Sequence, residues 1–77
     1  MRVRLRFFAS FRDQMGSPER WVDLEEGTNL RDLTSSMGQH HPFLVSGLVA
    51  INGRYLDAGT IIRDGDEVAF FPPVSGG

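Results

Sequence analysis

The chain has 77 residues, 40% of them hydrophobic and 23% charged, with a formal net charge of −2 and no cysteine. That is room for one globular domain with a thin core, and it excludes intrinsic disorder, disulfide frameworks, thiolate metal sites and cysteine nucleophiles. All eight basic residues are arginine and ten acids outnumber them, which argues against a nucleic-acid partner, and no apolar run nears the roughly 18 residues that span a bilayer.

Arg2-Val3-Arg4-Leu5-Arg6-Phe7 alternates strictly and predicts a strand, with Val3, Leu5 and Phe7 on one face and the arginines, then Phe8, on the other. This alternation stands where a secreted protein would carry an apolar signal core, so a cytoplasmic location and no membrane partner are expected. Ser10, with Asp13 three residues on, predicts the cap of a short helix that Gly16 stops. Ser17-Pro18 reads as a turn, and Trp21 to Leu24 as a second strand.

Thr28 follows Glu25-Glu26-Gly27 as the expected N-cap of the main helix. Leu30, Leu33 and Met37 form its apolar stripe, and Gly38 is the expected stop. His40-His41-Pro42 reads as connector and Phe43-Leu44-Val45 as a short apolar stretch. Leu48 to Ile51 predicts a third strand, Asn52-Gly53 a tight hairpin, and Arg54-Tyr55-Leu56 a short returning strand. Arg63-Asp64-Gly65-Asp66 is a turn before the last strand, Glu67 to Phe71.

One substantial helix among four or five strands gives an α+β domain, and a right-handed crossover sets the first and last strands parallel. This is the β-grasp, or ubiquitin-like, arrangement: a mixed sheet with the main helix on one face. It assigns residues 1–71 to the domain and 72–77 to an extended tail.

Local chemistry is sparse. Asp64, Asp66 and Glu67 straddle a glycine turn without the oxygen-ligand spacing of a metal loop. His40 and His41 are adjacent, not four apart as ligands on one helical face would be. No serine sits in a nucleophile elbow and no glycine-rich phosphate loop exists, so no bound cofactor, no metal and no self-contained active site are expected. What remains is Pro72-Pro73-Val74-Ser75-Gly76-Gly77. Two prolines end the strand and favour a stiff exit, and six residues reach roughly 20 Å. Gly76 and Gly77 place a carboxylate on a segment without Cβ atoms, able to thread a narrow channel.

The run Asp64 to Gly77, with Phe-Phe-Pro-Pro-Val-Ser-Gly-Gly at its end, closely resembles the C-terminal signature of the small subunit of molybdopterin synthase, in the MoaD/ThiS family of sulfur carriers. Leu5-Arg6-Phe7-Phe8-Ala9 resembles that family's opening strand, Asn52 falls in its hairpin, and length and element order agree throughout. The resemblance implies that an E1-like enzyme adenylates the Gly77 carboxylate with ATP and that a sulfur donor protein supplies the thiocarboxylate. It implies that the large, catalytic synthase subunit takes up the tail, in a heterotetramer. Gly77 would be the reacting residue; Gly76, Ser75, Val74, Pro73 and Pro72 would serve access.

The alternatives are a carrier for thiamin or tRNA thiolation, a ubiquitin-like modifier joined to lysines of targets, and a binding module whose tail is idle. A docking surface follows from strand parity alone. Phe8 and Phe71 face away from the helix at the same edge of a parallel pair, beside the tail, and Tyr55 joins them if its hairpin register turns it outward and not into the core. Arg4 and Arg6, on that outer face, are candidates for steering an acidic partner, although such a stripe is more often simply solvated.

Overall fold

In the computed structural model, which describes residues 1–73, the N-terminal alternation does what its period requires. Strand β1 is Arg2–Phe7, and Val3, Leu5 and Phe7 are at most 2% exposed. It is followed by helix α1 (Ser10–Met15), β2 (Glu19–Asp23), helix α2 (Leu30–His40), a 3₁₀ turn (Pro42–Ser46), β3 (Leu48–Ile51) and β4 (Glu67–Phe71). The sheet has four strands in the order β2-β1-β4-β3. The central pair β1 and β4 is parallel, while β2 and β3 flank it antiparallel.

Register sets the core. Leu5 lies opposite Val68 and Phe7 opposite Phe70, and the Phe7 and Phe70 rings stack with centroids 5.6 Å apart. Leu30 and Leu33 of α2 close over this layer together with Phe11, Leu44, Ile51 and Ile62, with Met37 packed at the margin. Each fully buried Leu, Ile, Val or Phe contributes about 1.5–3 kcal/mol. One helix covers one face, so the opposite face of the sheet is left for water or a partner.

Several boundaries differ from the sequence expectations. Ser10 is the first helical residue and not the cap of α1; the cap position is Ala9, with no side-chain cap bond. The cause lies in the sheet: the Phe8 N–H donates to the Phe70 carbonyl and carries the β1–β4 ladder one residue further, so the chain must turn at once. Ala9 makes that turn at φ 51°, ψ −129°, a conformation suited to glycine. Ala9→Gly is therefore expected to raise stability by about 1 kcal/mol, because relief of roughly 1–3 kcal/mol of strain exceeds glycine's entropic cost. A higher urea midpoint at unchanged slope would show this; a lower midpoint would contradict it.

The cap of α2 is Asn29, not Thr28: the Asn29 side chain accepts from the Asp32 N–H at 2.8 Å. Thr28 is held by the loop instead, its hydroxyl donating to the Glu25 carbonyl and its carbonyl accepting from the Ile62 N–H. Gly38 does not stop the helix, which runs on through His40. A Cβ at Gly38 would stand 2.6 Å from a Val45 methyl, so close packing of the 3₁₀ turn accounts for that glycine. The second strand starts at Glu19 rather than Trp21, because Arg6 pairs with Glu19 at the end of its ladder.

The Asn52-Gly53 turn forms as expected, with φ 49° and 80° and reciprocal bonds between Ile51 and Arg54. The returning strand does not. Pairing stops at the single Ile51–Arg54 bridge, and Tyr55 and Leu56 stand exposed. Among the described residues no helix is long and apolar enough to cross a membrane.

Candidate functional site

Alternation places Arg2, Arg4, Arg6 and Phe8 on the face opposite α2, beside Glu67, Ala69 and Phe71 of β4. Arg6 pairs across to Ala69 and Leu48 to Phe71. The two phenylalanines predicted to meet do so: the Phe8 and Phe71 rings stack at 4.6 Å with an 11° interplanar angle. Both are partly exposed, and Pro72 and Pro73 follow immediately, so the chain leaves the sheet from this apolar spot. Ala50 and Ala69, cross-strand partners next to it, put only methyl groups on the sheet there.

Leu48, the cross-strand partner of Phe71, is 48% exposed and completes the patch. Sequence reasoning missed it, because its place depends on the β3–β4 register, which no local pattern encodes. Tyr55 is 67% exposed but lies outside the ring stack. It lines a neighbouring groove with Leu30, Leu44, Val45, Leu48 and Leu56, so Leu48 is the residue common to groove and patch. Val74, Ser75, Gly76 and Gly77 lie outside the described residues.

Arg4 and Arg6 are paired within the sheet, so they do not offer the free charge that steering an acidic partner would use. Arg4 donates to the Glu67 carboxylate and also stands 3.6 Å from Glu19, while Arg6 donates to Glu67 at 3.3 Å. The Arg2 and Arg4 guanidinium groups lie over Trp21, and that of Arg6 lies 5.0 Å from the Phe8 ring centre. Arg6 thus links the ion pairs to the aromatic patch, and such cation–π contacts contribute about 0.5–1 kcal/mol at exposed sites.

The three acids around Gly65 part company. Asp64 accepts from the Arg2 N–H, Asp66 from the Asn52 amide and the Arg63 N–H, and Glu67 from the arginines. Asn52 in turn accepts from the Glu67 N–H at 2.9 Å, tying the hairpin to the start of β4. Among the described residues no cluster of three or more His, Cys, Asp or Glu side chains is arranged to hold a metal.

The hydrogen bond from Arg4 holds the Glu67 carboxyl below the usual carboxylate range; Arg6 adds to this and partial burial opposes it. A carboxylate whose folded value is depressed contributes stability above its unfolded value, and that contribution is lost as pH falls through the folded value. Since both partners are partly solvated, the amount is about 1 kcal/mol or less. Unfolding measured across the acid range should therefore be less pH-dependent in Glu67→Gln than in the unsubstituted protein. Identical pH slopes would contradict the assignment.

A four-stranded mixed sheet with parallel central strands, the long helix on one face and a C-terminal segment leaving beside an aromatic pair define a ubiquitin-like β-grasp protein. The ThiS family model matches residues 5–77, and the chain belongs to that family. It is 34% identical, over all of both chains, to the molybdopterin synthase sulfur carrier subunit of Chlamydomonas reinhardtii. It is 33% identical, again over both full lengths, to small archaeal modifier protein 3 of Haloferax volcanii. Among solved structures, the putative molybdopterin converting factor subunit 1 of Pyrococcus furiosus superposes with a TM-score of 0.82 at 31% identity, covering 96% of this chain and 99% of that one. A chain from the complex of subunits 1 and 2 of the Helicobacter pylori molybdopterin-converting factor superposes with a TM-score of 0.68 at 26% identity, with full coverage of both.

Proposed function

We propose that this protein is the sulfur-carrier subunit of molybdopterin synthase, and that its reacting atom is the carboxyl carbon of Gly77. The observation that carries this is the stacked Phe8–Phe71 pair at the root of the Pro72-Pro73 exit. On this reading the docking patch and the start of the threading segment lie together at one end of the central strands. The absence of cysteine supports the chemistry, because sulfur then has no thiol to ride on and must be carried at a carbonyl carbon.

The cycle starts with an E1-like enzyme. The Gly77 carboxylate attacks the α-phosphorus of ATP, pyrophosphate leaves, and the resulting acyl-adenylate makes AMP a good leaving group. A persulfide-type sulfur donor then displaces AMP to give an acyl disulfide, and a second thiol on the donor or activating enzyme attacks its S–S bond, releasing the thiocarboxylate and ending as a disulfide with the donor sulfur. The large subunit receives the tail, and its own residues bind the pyranopterin precursor and move protons. Two sulfurs from two carriers form the dithiolene, in an assembly of two small and two large subunits in the cytoplasm. ATP is consumed by the activating enzyme, and this chain itself binds no cofactor.

The thiocarboxylated protein, mixed with the large subunit and the cyclic pyranopterin precursor, should yield molybdopterin; the carboxylate form should not. The similarity to an archaeal modifier favours a second reading, attachment through Gly77 to lysines of other proteins. On denaturing gels of cell extracts a ladder of stable conjugates would support the modifier, and a single small species the carrier.

A further inference from the structure

Gly47 joins the 3₁₀ turn to β3 with φ −91° and ψ −178°. That is ordinary extended backbone, open to any residue, so conformation does not demand a glycine. Space does. A Cβ at this position would collide with the Phe11 ring and with the carbonyl oxygen of Phe71. The ring is the end of a side chain, but the oxygen belongs to the last strand residue before Pro72. The Gly47 N–H is bonded to the Leu44 carbonyl, and neighbouring Leu48 pairs with Phe71, so both sides of the contact are held.

Resting on the carrier role proposed above, we propose that Gly47 is a positioning residue for sulfur transfer. By letting the start of β3 close onto the Phe71 carbonyl, it fixes the plane of the Phe71–Pro72 peptide and so the heading of the tail. A planar trans peptide ties the carbonyl direction to the direction of the next Cα, and the proline ring fixes the following φ. A rotation at Phe71 is thus passed on to Pro72 and Pro73. Over the roughly 7 Å that two extended residues span, a tilt of ~10° moves the start of the remaining tail by ~1 Å. Misplacement by ~1 Å at a reacting centre can cost ~100-fold in rate.

Gly47→Ala alone would also strain the Phe11 ring. The informative variant is therefore Gly47→Ala/Phe11→Leu, in which the ring collision is relieved and the carbonyl collision stays, with Phe11→Leu as its control. Single-turnover sulfur transfer to the large subunit is expected to fall at least about tenfold below the control, with affinity for that subunit unchanged within about threefold. A second readout needs no sulfur chemistry. The chain has no cysteine, so spin labels at Ser36→Cys on exposed α2 surface and at Ser75→Cys report the tail heading directly. The distance distribution is expected to shift between the double variant and its control.

Transfer and distances matching the control would overturn the proposal. A double variant that fails to fold would overturn it too, making Gly47 a requirement of the domain alone. If the unsubstituted thiocarboxylate transfers no sulfur, the carrier role is what fails, and the label distances still decide whether Gly47 sets the heading.

Discussion

Deleting Gly76 and Gly77 is expected to leave a protein that folds and docks but transfers no sulfur. Among the described residues the buried core cluster runs from Val3 to Phe70, and the β1–β4 and β3–β4 ladders end at Phe70 and Phe71. The deletion therefore removes none of these, and unfolding free energy should stay within about 0.5 kcal/mol of the full chain. Transfer should be abolished, not merely slowed, because the shortened chain ends on Ser75, two residues short of the proposed reacting residue and with a Cβ beside its carboxylate. A truncated protein that retained transfer would place the reacting atom elsewhere, and one that unfolded would mean the tail is part of the domain.

Charge at the root of the tail comes second in size. Phe71→Arg and Phe8→Arg each should weaken association with the large subunit by about 2 kcal/mol or more, roughly 30-fold, as expected when a central aromatic anchor is replaced by a charge. The isolated domain should keep its circular dichroism, losing only the stack, about 0.5–1.5 kcal/mol. The basis is the parity of β4: Val68 and Phe70 belong to the core cluster under the helix, whereas Phe71 is on the other face and only partly buried. Calorimetric titration reads the affinity and thermal melts read the fold. Unchanged affinity would free the patch from any docking role.

The parts of the fold written in short-range pattern were legible. Arg2 to Phe7 alternates, Leu30, Leu33 and Met37 keep helical spacing, and Asn52-Gly53 specifies its own turn; all three stand where the sequence puts them. The end points were not, because they are decided by contacts distant in the chain. Ser10 lost the cap because Phe8 is drawn into the ladder by Phe70, and Thr28 lost it because Ile62 claims its carbonyl. Gly38 looked like a stop and is a packing gap for Val45.

At the site, the Phe8–Phe71 meeting was readable because a parallel pair with known parity leaves little freedom. Leu48 was hidden in the register of a third strand. The neutralisation of Arg4 and Arg6 was hidden for a similar reason: Glu67 looked like part of an acidic turn, and only the β1–β4 register brings it opposite Arg4. Exposed charge on a strand tells little until its cross-strand neighbour is known.

The most direct test weighs the intact protein isolated from cells that contain its activating enzyme. A species in which one oxygen has been exchanged for sulfur is expected, with fragmentation assigning the exchange to Gly77 and the species missing when Gly77 is deleted. A population that carries no such exchange, or one in which sulfur maps to any other residue, would contradict it.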